Sequence, residues 1–580
     1  AGIARSMSFS SVRPYFGSLQ HDPVHSSCYY LAVDAIGGAR HAPLLLRLAP
    51  ASAPSSGLFP NAILIGRMRP GGGREVVVNA APFSSHDSEA VRTFAGQVDP
   101  EFLPRPQGAL PAIATGNRHP EVSLPAAFEA FRRILADTGV NLASTVQLSA
   151  TREMTTDEAL AARDGENPTS AGHTRVSIRH LYDAGLWAAI RAGWRSGYTA
   201  EADHIIISGE TDDAIARSIE AGQEAIRHAA GYTKFTTDTS RLFDLRADPR
   251  HPQAWDESVR RERFEALFSP EDRSWIRGQF GRPFEIGGAV YRFEEDDIVR
   301  LAVKFGRSLQ LNEKLHESIL TVKAAGRFGR GFDFEPSIDE ADTLTTPEEM
   351  IFYMHWLKAR GRPAQLAPPN LGFKKRQAYP ETMEALHAYV QHKMWPELER
   401  RVASEFAGRP LAELAARVAS LAEVARYFNG TLSIHSGSGK QAAVLEEIGR
   451  ATGGRVNYKI SGELQLQLFD VLREQPEDSP WRALYERMAA RCNRFAEAAA
   501  FGGESALARQ YAATNLGDPA RGRVDGNLFL VFWLGNMVGS RDADGRFFKE
   551  QLDELPEDLV EEVRRRNTEY IVWLARHLRG

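Results

Sequence analysis

Short apolar runs that end in polar or charged residues, each followed by a stretch of helical periodicity, recur from about residue 110 to 475. The clearest is Thr431-Leu432-Ser433-Ile434, which stops at His435. It is followed by the small residues Ser436-Gly437-Ser438-Gly439, Lys440 and a helical pattern from Gln441. Similar runs cover 112–115, 144–149, 202–207, 234–239, 332–338, 365–367 and 455–460. Most are followed by apolar positions at helical spacing, as at 125–139 and 212–228. Thr346-Pro347-Glu348-Glu349 predicts a helix start, with Thr346 as N-cap, Pro347 at the first helical position and Glu349 closing a capping box. Roughly eight strand-then-helix units predict an α/β fold, a TIM-like (β/α)8 barrel over 111–475, with its chemistry at the C-terminal ends of the strands.

Other parts of the chain follow different patterns. Residues 1–110 hold strand-like runs at 28–33, 44–48, 62–66 and 76–78 separated by Pro and Gly clusters, which predicts a β-rich N-terminal extension. Residues 241–330 are charged and helical in period, read as a helical insertion or lid. Residues 476–580 read as a helical C-terminal region closing on an amphipathic helix over 557–578.

At 580 residues the chain can bury a large core, and its formal net charge of −5 gives no electrostatic case for nucleic acid or an anionic membrane surface. Two distant cysteines, Cys28 and Cys492, speak against a disulfide framework or a cysteine zinc site. No apolar run approaches the length needed to span a bilayer, and no basic stretch followed by an apolar run opens the chain. The expectation is a cytoplasmic protein without a membrane segment, acting on a small molecule. Its oligomeric state is left open, a homo-oligomer among the options.

Two nucleotide motifs are tested and set aside. Ser438-Gly439-Lys440 lacks the earlier glycine and the following Ser or Thr of a phosphate-binding loop; Ile434 and Gln441 stand there. Gly437-Ser438-Gly439-Lys440-Gln441-Ala442 is a weak dinucleotide fingerprint, with no acidic residue ending the next strand. The chemistry points elsewhere. His204, beside Asp203, and His435 both lie at strand boundaries, a setting that suits a divalent metal bound by imidazole and oriented by carboxylate. Asp238, Asp339 and Glu340 lie near other strand boundaries. Adjacent carboxylates there repel one another unless a cation or a shared proton relieves them. Arg118, Arg152, Lys440 and Lys459 are cations suited to a hydroxylated or carboxylated substrate, and Asn117, Gln147 and Gln377 can bind hydroxyls.

The ordered set Ala202-Asp203-His204, Ser337-Ile338-Asp339-Glu340-Ala341-Asp342, Thr345-Thr346-Pro347-Glu348-Glu349, Leu366-Ala367-Pro368 and the segment 432–440 resembles the tagaturonate epimerase family. That family acts on D-tagaturonate and D-fructuronate and has relatives acting on tagatose and fructose. The resemblance implies a barrel-like α/β fold, a sugar or keto-uronate substrate inverted at C4, and a divalent metal (zinc, manganese, cobalt, nickel or iron). It implies Asp203 and Glu340 as acid/base pair and His204 and His435 as metal ligands, with Gln377 in the segment where a third ligand would lie; Arg118, Gln147, Arg152, Asp238, Ser436, Lys440 and Lys459 are the candidate substrate contacts. Gly439 departs from the aspartate usual before the lysine. A class II aldolase or sugar isomerase on the same scaffold, or a non-catalytic aldolase-like accessory subunit, are the alternatives.

Overall fold

The structure is a computed structural model. It describes residues 12–34, 42–54, 62–82, 95–116, 119–147, 156–162, 175–326, 329, 331–339, 343–374, 378–390, 395–435, 437, 439–497 and 534–579. Eight parallel strands form the central sheet: β1 (Ala112–Gly116), β2 (Ala143–Gln147), β3 (Thr199–Ile206), β4 (Lys234–Asp238), β5 (Asp333–Ser337), β6 (Leu366–Ala367), β7 (Thr431–Ile434) and β8 (Val456–Ile460). They pair in chain order, and β8 pairs with β1. The circle closes between β5 and β6 through the parallel bridge Ile338–Pro369 and the bond from Gln365 N–H to the Phe334 carbonyl. The predicted TIM-like barrel is the observed fold.

An outer layer of helices surrounds the sheet: α1 (Pro120–Thr138), α2 (Ile178–Ala192), α3 (Asp212–His228), α4 (Glu295–Ala325), α5 (Pro347–Ala359), α6 (Pro410–Tyr427), α7 (Ala442–Thr452) and α8 (Glu557–Leu578). The capping box of α5 forms as its sequence predicts, with Glu349 N–H donating to Thr346 Oγ1 and Thr346 N–H to Glu349 Oε2. Two helices occupy places that the sequence leaves unassigned. Within the stretch expected as an insertion, α4 packs between α3 and α5 as the barrel's own fourth helix. The remainder, 240–294, adds two helices and the hairpin Phe284–Ile286/Ala289–Tyr291. At the other end of the chain, α8 fills the gap between α7 and α1. Its Thr568 hydroxyl donates to the Ala126 carbonyl, and His577 meets Glu446 at 2.9 Å. Gly449 of α7 permits that approach, since a Cβ there would sit 2.5 Å from the Leu578 carbonyl oxygen. The N-terminal strands form a six-stranded antiparallel sheet over 12–82. Tyr29, Leu31 and Leu45 of this sheet, together with Phe102, pack on Leu186 and Ile190 of α2.

TIM-barrel interiors are usually filled by branched aliphatic side chains. Here the apolar residues of the strands point outward to the helices, among them Ala202, Ile205, Phe235, Phe334, Leu432, Ile434 and Tyr458. Many of the inward positions are polar or charged, beside the apolar Ala112, Ala114 and Leu366. Lys234 bridges Glu201 (2.9 Å) and Glu335 (2.8 Å), and Lys459 bridges the same two carboxylates from the other side, 3.0 Å from Glu335. The result is a closed ring of alternating charges across β3, β4, β5 and β8, every member of which is buried. Thr236 adds a hydroxyl donor to Glu201, and Ser433 adds one to Glu335 at 2.8 Å. A buried ion pair offsets its desolvation only when geometry is good and further hydrogen bonds satisfy the remaining lone pairs. In this ring the added hydrogen bonds reach Oε1 of both glutamates, and Oε2 of each relies on Lys234.

Two predictions follow from these buried groups. Lys234→Met leaves one oxygen each of Glu201 and Glu335 buried without a cation, and unfolding in urea should show a loss of about 3–5 kcal/mol. His316 of α4 lies against the rings of Phe332 and Phe334, with no hydrogen-bond partner for Nδ1 among the described residues. Burial pushes its imidazole down to about 4. The unfolded chain therefore takes up a proton at a higher pH than the folded one, and stability should fall as pH drops from about 6.5 to about 4. His316→Phe should flatten the thermal melting profile across that window; an unchanged profile would contradict the assignment.

Candidate active site

The C-terminal mouth of the barrel lies directly above the charge ring. In a regular strand Asp203 and His204 would face opposite sides of the sheet. A β-bulge changes this. Phe235 pairs with Ala202 and Thr237 with Ile205, so Asp203 and His204 together stand opposite Thr236. His204 takes a φ of 47° in the left-handed region, a conformation costly for a residue with a Cβ. The bulge turns both side chains toward the mouth.

His435 follows the last residue of β7 and reaches the same place. The loop after it is held against β8, where Tyr458 donates its hydroxyl to the Gly437 carbonyl. A Cβ on Gly437 would lie 2.3 Å from that phenol ring. The imidazoles of His204 and His435 approach edge to face, with centroids 5.4 Å apart.

Each histidine is anchored by a carboxylate on one ring nitrogen. His204 Nδ1 lies 3.5 Å from Asp238 Oδ2, and His435 Nε2 contacts Glu335 Oε1 of the charge ring. The other nitrogens face acidic oxygens at longer range: His204 Nε2 to Asp203 Oδ2 at 3.7 Å, and His435 Nδ1 to Asp339 Oδ2 at 3.5 Å. His435 Nδ1 is buried and makes no hydrogen bond among the described residues. Imidazoles whose far nitrogen is held by a carboxylate, with the near nitrogen and further carboxylates converging, form a donor set suited to a divalent transition metal.

The electrostatics of the cluster follow from its partners. Burial pushes Asp203 up, but His204 and Lys459, the latter 2.8 Å away, outweigh it and hold the carboxyl below its ordinary value. Burial raises Asp238 too, yet its contacts with His204 and Ser240 bring it down to about 2. Burial alone would lower His204, but Asp203 and Asp238 lift it to about 9. Lys459 is likewise raised well above its usual range, because Asp203, Glu201 and Glu335 outweigh its desolvation. Among the described residues five carboxylates of this cluster (Glu201, Asp203, Asp238, Glu335 and Asp339) face two ammonium groups, Lys234 and Lys459. The site carries excess negative charge to hold a cation or a protonated imidazole.

The structure brings Asp203, His204, Asp238, His435 and Lys459 into one cluster. Lys459 donates to Asp203, Glu201 and Thr236 in the floor of the site. Lys440 points its Nζ to the Lys374 carbonyl at 2.9 Å, above the ring of Phe373. Arg118, Asn117, Arg152, Glu340, Gln377 and Ser436 lie outside the described residues. Gln147 ends β2, and its side chain is likewise outside the description. Sequence reasoning did not single out Glu201, Lys234, Glu335, Ser433 or Asn457. Their available signal was charge or polarity at every second position of otherwise apolar strands, as in Glu201/Asp203 and Asp333/Glu335.

His119, Glu121 and Asp553 form another group whose ligand atoms lie within 4.8 Å of one another. Lys549 Nζ already sits among them, 3.2 Å from Glu121, and supplies the positive charge.

Comparison with known proteins connects this geometry to a family. The sequence profile described as tagaturonate epimerase matches residues 169–394, a stretch that includes Asp203, His204 and Glu335. A tagaturonate/fructuronate epimerase of Thermotoga maritima is 26% identical over 297 residues, which span 51% of this chain and about half (50%) the length of that relative. The crystal structure of fructuronate-tagaturonate epimerase from Cohnella laeviribosi superposes with a TM-score of 0.67 at 18% identity, covering 100% of this chain and 98% of that one. A form of the same protein complexed with two glycerols gives 0.63 at 19% identity, covering 98% and 96%. The sequence likeness to the tagaturonate epimerase family is centred on β3 to β5, over residues 169–394, and the fold likeness runs the length of the chain.

Proposed function

We propose that the chain is a carbohydrate epimerase that interconverts D-tagaturonate and D-fructuronate by inverting C4, with a divalent metal held by His204 and His435. One observation carries the reading: two imidazoles 5.4 Å apart, each anchored by its own carboxylate, sit beside a buried, ionised Asp203 at the barrel mouth. The names of the relatives and the excess of acidic groups in the cluster support it.

C4 lies one bond too far from the C2 carbonyl for simple enolisation. A divalent metal held by His204 and His435 would supply Lewis acidity for the carbonyl chemistry. Asp203 is the base. Lys459 holds Oδ1 at 2.8 Å, which keeps the carboxylate ionised and leaves Oδ2 toward the pocket. It takes the proton of the C4 hydroxyl, and the C4–O electrons form a carbonyl as the C3–C4 bond breaks. That bond pair moves toward the C2 oxygen. After the freed aldehyde turns its other face, C3 re-attacks and the proton returns to the C4 oxygen. Glu340, three residues beyond β5 in the sequence, is assigned as the opposing acid. The cations Arg118, Arg152 and Lys440 are assigned to the substrate's carboxylate, and Gln147 and Ser436 to its hydroxyls. Gln377 is assigned as the third metal ligand. The charge ring keeps Glu335 ionised, so His435 is held through Nε2 and its Nδ1 stays turned to the site.

His435→Ala should remove both the metal, read by elemental analysis, and turnover of tagaturonate; full activity in that variant would end the assignment. Asp203→Asn should lower kcat by about 10²–10⁴-fold with KM little changed. Turnover in deuterium oxide should leave C4 of the product unlabelled, since cleavage of C3–C4 keeps that hydrogen on carbon. Deuterium at C4 would instead show direct proton exchange there.

A further inference from the structure

We propose that Asn312, on the outer helix α4, is a positioning residue for the site: through Thr237 and Thr239 it fixes Asp238, and with it the orientation of His204. The inference deepens the proposed function and rests on His204 being a working group of that site.

Asn312 is fully buried behind β4, on the side of the strand away from the barrel interior. Its Oδ1 accepts from the Thr237 hydroxyl at 2.5 Å. Its Nδ2 lies 2.9 Å from Thr239 Oγ1 and 2.8 Å from the Tyr353 hydroxyl. Ser308, one turn earlier on α4, joins Thr239 at 2.6 Å and Tyr353 at 2.7 Å. All five side chains are buried, and two helices contribute to the network. An apolar helix–strand contact would serve packing at lower risk, because a half-satisfied polar network is costly.

What the network grips is the stretch that supports His204. Thr237 and Thr239 flank Asp238, whose Oδ2 faces His204 Nδ1 at 3.5 Å. Asp238 Oδ1 accepts from the backbone N–H and hydroxyl of Ser240. Thr237 is also the first residue of β4 to pair again with β3 after the bulge, opposite Ile205. The left-handed turn at His204 needs surroundings that over-determine it. Asn312 provides this from outside the barrel: it ties the strand on which the bulge rests and the carboxylate that anchors the ring. Shifts of that carboxylate re-aim the imidazole without touching substrate.

The test combines two readouts on the full chain. Thr237→Val keeps the side-chain shape and removes the hydroxyl; Asn312→Ala removes the hub. In protein labelled with ¹⁵N in histidine rings, the His204 signals, assigned by their loss in His204→Gln, should be single in the parent. They should shift or broaden in both variants. This readout needs neither substrate nor metal, so it separates failure here from failure of the epimerase reading. Thr237→Val should also lower kcat about 10–100-fold with KM within about threefold, as expected when the partner of an oriented histidine is disturbed. In an Asp238→Asn background the same substitution should cost under about twofold, since its route of action is already broken. Unmoved His204 signals in Thr237→Val, or an equal loss in both backgrounds, would overturn the proposal even if melting temperature falls. Should Asn312→Ala not fold, Thr237→Val decides alone.

Discussion

Four charges locked in a closed ring set the terms for the rest of this molecule. Glu201, Lys234, Glu335 and Lys459 come from four different strands, and each is paired with the two of opposite sign. Apolar side chains could fill a barrel of this size with many registers and rotamers. A ring of opposite charges away from water tolerates very few, because a displaced member leaves an unpaired ion in a low-dielectric interior. The fold obtains register from the ring, and the mouth obtains a rigid floor. Asp203 and His435 are attached to that floor directly, through Lys459 and Glu335.

His204 is fixed by other means. It is carried by a bulge, held in a strained backbone conformation, and anchored from β4 through Asp238. The two imidazoles that meet at the mouth therefore rest mainly on different supports, one inside the barrel and one between barrel and helices, with Asp203 linking the two. Such separation suits a site whose two halves must keep their mutual spacing through repeated cycles of bond cleavage and closure.

Much of this was visible in the sequence, and the part that was not has a physical reason. The strands and their order were legible because outward-facing apolar residues sit at regular spacing, and because each strand stops at a polar cluster. His204 and His435 stood out at those stops. The α5 helix start was readable down to its capping bonds, since these are local. The ring was not: Glu201, Lys234 and Glu335 look like interruptions of β-prone runs until strands distant in sequence are placed side by side. The bulge was hidden too, because alternation alone puts His204 on the outer face. Helical period identified α4 and α8 as amphipathic but carries no information about which groove an amphipathic helix will fill. Both were therefore set apart from the barrel to which they belong.

The place of α8 has a consequence for biosynthesis. All eight strands have been made once residue 460 is joined, yet the cleft between α1 and α7 stays open until Glu557–Leu578 has also emerged. At ordinary rates of translation that interval is on the order of ten seconds. During it, the apolar surfaces that Ile571, Leu574 and Leu578 later cover are bare.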